Sequence, residues 1–111
     1  MNKEITIVDS SKELRRSIER ALEKEPYQLI FRDAANMENH LQVSNCLIVI
    51  VDLDSAPKDI LFFRHLKRSY PGLKIIVASR QPYHPELQEA MSHHIFASVS
   101  QPVDPDEIVF L

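Results

Sequence analysis

LIVIVDLD, at residues 47–54, contains the most apolar run of the sequence and ends in a pair of aspartates. The run is continuous rather than alternating and is rich in β-branched residues, which is typical of a strand buried on both faces of a sheet. We therefore predict that residues 47–51 form the central strand of the protein. Asp52 would then lie at the carboxyl end of that strand, with Asp54 shortly after it.

Further runs of the same kind lie on either side of this segment, at residues 5–8, 29–31, 75–77 and 95–97. Segments with helical spacing separate them. Residues 10–24 place Leu14, Ile18, Ala21 and Leu22 on one face, and Ser10 with Glu13 forms a candidate capping box. Further helices are predicted at residues 36–41 and 58–70, from Pro85 and from Asp104. Strands and helices therefore alternate, which predicts an α/β fold with a doubly wound parallel sheet.

Length and composition exclude several classes of function. The 111 residues fit a single domain, and the lone Gly72 excludes a P-loop or a dinucleotide fingerprint, which need several glycines. A net charge of −3 without a basic run argues against direct nucleic-acid binding, and the apolar runs are too short to span a membrane. Cys46 alone cannot form an internal disulfide, and no secretory signal pattern is seen, so we expect a cytoplasmic protein. The five histidines have no metal-site spacing, and we predict that they lie on the surface.

Polar residues follow four of the predicted strands: Asp9 and Ser10 the first, Asp52 and Asp54 the third, Ser79 the fourth, and Gln101 the fifth. Ligands of such sheets bind beyond the carboxyl ends of the strands, and a strand order of 2-1-3-4-5 would gather these residues. Carboxylates about 4 Å apart repel by about 4 kcal/mol, which a Mg²⁺ ion relieves. A carboxylate beside such an ion can attack phosphorus and form an aspartyl phosphate.

The motifs in these positions resemble those of the receiver domain of two-component response regulators: IVDSS at 7–11, LIVIVDLDSAP at 47–57, KIIVAS at 74–79 and SQPVDPDEI at 100–108. The resemblance covers essentially the whole chain. It implies a flavodoxin-like three-layer sandwich with a five-stranded sheet ordered 2-1-3-4-5. It also implies that Asp52 is the phosphoryl acceptor and that Asp9, Asp52 and the main-chain carbonyl of Asp54 bind Mg²⁺. Ser79 would be the switch hydroxyl, although a slip of one residue would place Ala78 there.

Several positions depart from the family pattern. Ser10 stands in place of the second acid of the pair, Gln101 in place of the lysine that contacts the phosphoryl group, and Ser98 in place of an aromatic switch residue. Without the lysine a charge-assisted contact is lost, and without the acid Mg²⁺ binding is expected to be weak or absent. The side chain of Asp54 is either a substitute metal ligand or a solvated loop acid.

The resemblance implies a non-enzymatic signalling domain that receives a phosphoryl group from a histidine kinase or a phosphotransfer protein. The phosphorylated domain would then switch an output face or a homodimer face, with no membrane contact. A pseudo-receiver, which docks or dimerises without phosphorylation, is the alternative that the missing lysine and acid favour. A third hypothesis is a haloacid-dehalogenase-like phosphatase, because Asp52-Leu53-Asp54 matches its local motif. Those enzymes, however, carry the motif on their first strand and have longer chains.

The domain assignment covers residues 1–111. The helical pattern that starts at Asp104 continues only to Leu111. We therefore expect a shortened last helix, in a domain that forms the N-terminal part of a longer regulator.

Overall fold

The structure is a computed structural model that describes residues 3–43, 48–54, 60–80 and 94–100. Its strands are β1 (Lys3–Val8), β2 (Tyr27–Arg32), β3 (Ile48–Asp52), β4 (Lys74–Ser79) and β5 (Ala97–Ser100). They form a five-stranded sheet in the order β2-β1-β3-β4-β5, and each neighbouring pair is parallel. The predicted strand order is confirmed, and β3 is the central strand.

Helices cover both faces of this sheet within the described residues: α1 (Lys12–Ala21), α2 (Ala34–Val43) and α3 (Ile60–Ser69). Leu14 of α1 lies in an apolar cluster with Ile50 of β3. Met37 of α2 and Phe63 of α3 lie in a second cluster with Val51. Because successive strand residues point to opposite faces, β3 contributes to both clusters, which explains its continuous apolar sequence. The predicted doubly wound, three-layer architecture is confirmed.

The start of α1 differs from the prediction by one residue. Ser11, not Ser10, is the N-cap: its backbone is extended (φ −69°, ψ 163°), and its hydroxyl accepts a hydrogen bond from the main-chain N–H of Leu14 over 3.1 Å. The capping box predicted on Ser10 is therefore wrong. Asp9 has a left-handed backbone (φ 53°) and forms the bend at which the chain leaves β1. Ser11 has the extended backbone that an N-cap adopts.

The fifth strand also begins later than predicted. The apolar run at residues 95–97 overlaps the strand only at Ala97. Ile95 is buried beforehand, whereas Phe96 is 53% exposed and has the Lys74 ammonium 4.9 Å from its ring centroid. In the strand itself exposure alternates, with Ser98 exposed and Val99 buried. An edge strand with this alternation carries a weaker apolar signal than the segment that precedes it.

Two histidines show how α2 is tied to its neighbours. His65 of α3 is exposed, as predicted, and pairs with Glu38 of α2. His40 is not a surface residue: its side chain is only 16% exposed, and its Nε2 atom lies 3.2 Å from the Glu4 carboxylate of β1. The prediction that His40 lies on the surface is therefore wrong. The Glu4 carboxylate gives the imidazole a polar partner, which a largely buried polar group needs.

Some predicted features lie outside the described residues. These are the helices from Pro85 and from Asp104, the shortened last helix, Cys46, and Gln101. In the part of the chain that the structure does describe, no helix is long and apolar enough to cross a membrane.

Candidate functional site

The carboxyl ends of β1, β3 and β4 bring the predicted site residues to one edge of the sheet. Val8 of β1 is in register with Val51 of β3, so Asp9 and Asp52 come next on adjacent strands. Asp52 is in register with Ala78 of β4, and Ser79 follows directly. The strand order predicted from the sequence therefore places Asp9, Asp52 and Ser79 on a common rim.

Asp52 is held from two sides by main-chain groups. Its side chain is buried, with 0% of the residue exposed. The N–H of Ser11 donates to Oδ2 over 2.9 Å, and the N–H of Asp54 donates to Oδ1 over 2.9 Å. Since Ser11 caps α1, the carboxylate lies at the positive end of that helix dipole, which stabilises a negative charge. Buried carboxylates require such partners, and these two also fix the orientation of the group.

Asp9 uses an uncommon backbone conformation. Its φ of 53° is left-handed, which aspartate tolerates better than most residues. Its N–H donates to the carbonyl of Arg32 over 2.9 Å, and its Oδ1 accepts from the N–H of Ala34 over 3.1 Å. The Asp9 carboxylate therefore lies at the start of α2, across the end of β2, while remaining on the same rim as Asp52.

Asp54 connects β3 to the end of β4 through its side chain. Ser79, which is 4% exposed, donates its hydroxyl to Oδ1 of Asp54 over 3.2 Å. The main-chain N–H of Arg80 donates to Oδ2 of the same carboxylate over 2.8 Å. Asp54 is exposed, yet it is not only a solvated loop acid, because both of its carboxylate oxygens accept hydrogen bonds from β4 and the residue that follows it.

A divalent cation would find few ligands here. Within the described residues, no group of three or more histidine, cysteine or acidic side chains is placed to hold a metal ion. The interpretation of Asp54 as a substitute side-chain ligand stays a prediction. Asp9 and Asp52 offer two carboxylates on adjacent strand ends. Mg²⁺ usually binds one or two carboxylates, together with water and phosphate oxygens. The donor set thus fits Mg²⁺ only with a ligand shell made largely of water and main-chain oxygen.

The sequence analysis missed the groups that orient the acids. Four of them are main-chain N–H groups, of Ser11, Asp54, Ala34 and Arg80, and residue identity gives no signal for a backbone donor. It also missed an ion pair between the Arg80 guanidinium and Glu13 of α1. A serine in the first turn of a predicted helix was the only available hint, because N-caps lie beside exposed helix N–H groups. Ser98, predicted to replace an aromatic switch residue, is exposed on β5 opposite Val77.

Comparison with known proteins identifies the fold. No family model matches the sequence, and no curated protein matches it. Among solved structures, a signal receiver domain of an HD domain-containing protein from Pseudomonas fluorescens matches with a TM-score of 0.83 and 24% identity, over 98% of this chain and 82% of the other. A response regulator from Thermotoga maritima matches with a TM-score of 0.84 and 17% identity, over 99% of this chain and 93% of the other.

A third match was solved in the presence of a phosphomimetic compound. The receiver domain of RcsB from Salmonella enterica serovar Typhimurium, solved in the presence of phosphomimetic BeF₃⁻, has a TM-score of 0.78 and 23% identity, over 99% of this chain and 85% of the other. At these identities the likeness concerns the fold. The chain has the fold of response regulator receiver domains.

Proposed function

We propose that this chain is a receiver domain that accepts a phosphoryl group on Asp52 from a phosphohistidine of a partner kinase or phosphotransfer protein. The observation that carries the proposal is the position of Asp52. It ends the central strand of a receiver fold, with Asp9 at the next strand end and Ser79 one residue beyond its partner in β4. Sheets of this kind bind their ligands on this rim.

The chemistry needs little from the protein beyond orientation. A carboxylate oxygen of Asp52 attacks phosphorus, a P–O bond forms, and the P–N bond to the donor imidazole breaks, so that the neutral imidazole leaves after taking up a proton. The N–H groups of Ser11 and Asp54 hold the carboxylate in place before the attack. A Mg²⁺ ion, bound by Asp9 and Asp52, would offset the negative charge of the phosphoryl oxygens.

The departures from the family pattern predict a slow and weakly retained modification. Ser10 offers a neutral hydroxyl where the family has a second acid, and Gln101 offers an amide where it has a lysine. A charge-assisted hydrogen bond is about twice as strong as a neutral one. The phosphorylated form should therefore be less favoured than in a complete site.

A phosphorylation-independent docking or dimerisation module is the second candidate. It is favoured by one specific observation: Asp52 is completely buried, and both of its oxygens already accept main-chain hydrogen bonds. A carboxylate of this kind can have a purely structural role, because a buried carboxylate whose oxygens accept hydrogen bonds is stable without a ligand.

The two candidates are separated by exposing the protein to Mg²⁺ and beryllofluoride, and separately to a small phosphodonor. We expect amide chemical-shift changes at Asp9, Asp52 and Ser79 with the first, and a mass increase of one phosphoryl group with the second. Asp52→Asn should abolish both. Asp33→Asn is the matched control, since Asp33 is an exposed acid whose Oδ1 accepts from the N–H of Asn36, and asparagine keeps that acceptor. Unchanged spectra and mass in the wild type would leave the docking module as the function.

A further inference from the structure

The Asp54 carboxylate holds the end of β4 in the structure described here. It accepts from the Ser79 hydroxyl over 3.2 Å and from the Arg80 N–H over 2.8 Å. These contacts join residues 25 and 26 positions apart in the sequence. They are made by the side chain, so they are independent of the main-chain carbonyl that the resemblance implies as a metal ligand.

A serine hydroxyl carries a single hydrogen, so it can donate to only one acceptor at a time. Ser79 is 4% exposed, and water is therefore a poor substitute partner. The donor–acceptor distance of 3.2 Å is long for a hydroxyl donor, whose usual distance is about 2.7–2.8 Å. A phosphoryl group offers stronger acceptor oxygens than a carboxylate at that distance.

We propose that Asp54 is a positioning residue that retains the Ser79 hydroxyl in the unmodified domain and competes for it with the phosphoryl group on Asp52. The proposal rests on the proposed function. When Ser79 turns to the phosphoryl oxygens, Asp54 loses the hydrogen bond from the Ser79 hydroxyl. The hydrogen bond from the Arg80 N–H to Asp54 remains. Asp54 therefore sets how far the equilibrium favours the unmodified form.

The first test uses the protein without ligand. Asp54→Ala should accelerate hydrogen exchange of the Arg80 amide at least about tenfold, because that amide loses its carboxylate acceptor. The Leu53 amide, which donates to the Ala78 carbonyl over 3.0 Å, is the internal control and should be unchanged. Equal exchange at Arg80 in both proteins would show that the Asp54 carboxylate does not hold the end of β4, and this would overturn the proposal whether or not Asp52 can be phosphorylated.

The second test measures the competition with Mg²⁺ and beryllofluoride. Asp54→Ala should bind beryllofluoride about tenfold more tightly than the wild type, as expected for relief from one hydrogen bond to a charged acceptor. Removing a negative charge also favours anion binding by itself, so the comparison is repeated in a Ser79→Ala background. There, the gain should fall to about twofold, since no hydroxyl is left to compete for. Asp54→Asn, which keeps an acceptor oxygen, should give an intermediate gain.

The outcomes distinguish the competition from the proposed function. Equal gains with and without the Ser79 hydroxyl would show a charge effect and overturn the competition, while leaving Asp52 phosphorylation intact. Binding by Asp54→Ala but not by the wild type would support the competition in its strongest form. Absence of binding in both proteins would overturn the proposed function together with the competition.

Discussion

Arg80 and Glu13 form an ion pair that joins the residue after β4 to the first turn of α1. In the sheet, β3, whose last residue is Asp52, lies between β4 and β1, the strand that precedes α1. Both partners are more than half exposed, so the pair adds little to stability. Its position is more informative than its strength, because it spans the rim where Asp52 is buried.

Removal of this ion pair should make the rim easier to enter. We expect Glu13→Gln to speed beryllofluoride association about threefold, since Arg80 is released and a negative charge is lost, while the free energy of unfolding changes by less than about 0.5 kcal/mol. Stopped-flow mixing, with urea unfolding alongside, measures both. Glu19→Gln is the control on the same helix, since Glu19 pairs with the exposed Arg15. Equal rates in all three proteins would contradict a role of the pair in access.

The helix cap predicts a difference between two neighbouring serines. Ser11→Ala should lower the free energy of unfolding by about 1 kcal/mol, because the N–H of Leu14 loses its hydroxyl acceptor. Ser10→Ala should change it by less than about 0.5 kcal/mol. Thermal or urea denaturation compares the pair. A larger loss at Ser10 would return the cap to the position that the sequence pattern suggested.

The conformation of Asp9 separates a backbone effect from a metal effect. Asp9→Asn should keep the stability within about 0.5 kcal/mol, because asparagine tolerates the left-handed region and retains an acceptor for Ala34. Asp9→Ala should cost about 1–2 kcal/mol. Both should weaken Mg²⁺ binding in an NMR titration, whereas Asp33→Asn should not. Undiminished Mg²⁺ binding in Asp9→Asn would remove this carboxylate from the metal site.

The core of α3 allows a simple check of the fold. Phe63 is 0% exposed and packs edge-on against Phe62, so Phe63→Ala should lower the free energy of unfolding by about 3–5 kcal/mol. Leu61, in the same helix, is 61% exposed, and Leu61→Ala should change it by less than about 0.5 kcal/mol. Denaturant midpoints of the two variants should rank in that order. Similar losses would show that α3 presents another face to the sheet.

The architecture was predictable because a strand that is buried on both faces of a sheet has a continuous apolar sequence. β3, with residues 49–52 buried, is the clearest case, and alternation of such runs with helical segments fixes a parallel sheet. The site could be predicted only to the level of which acids share the rim. The donors that orient Asp9 and Asp52 are backbone groups, and the contact of Asp54 with Ser79 depends on how the turn after β3 meets the end of β4.

The errors have equally local causes. The N-cap shifted by one residue because Asp9 adopts a left-handed conformation that its sequence permits but does not require. β5 begins late because apolar residues also precede an edge strand. His40 is largely buried, and the carboxylate of Glu4 on β1 is the partner of its Nε2 atom.

The burial of Asp52 would limit the rate of the proposed reaction. With none of the residue exposed, a phosphoryl donor can reach the carboxylate only through a local opening of the structure around Asp52. The observed rate with a small donor should therefore level off as its concentration rises, at a ceiling equal to the frequency of opening. A protein donor that docks on the rim and holds it open would exceed this ceiling, so the shielding of one carboxylate would favour a docked donor over small metabolites that carry activated phosphate.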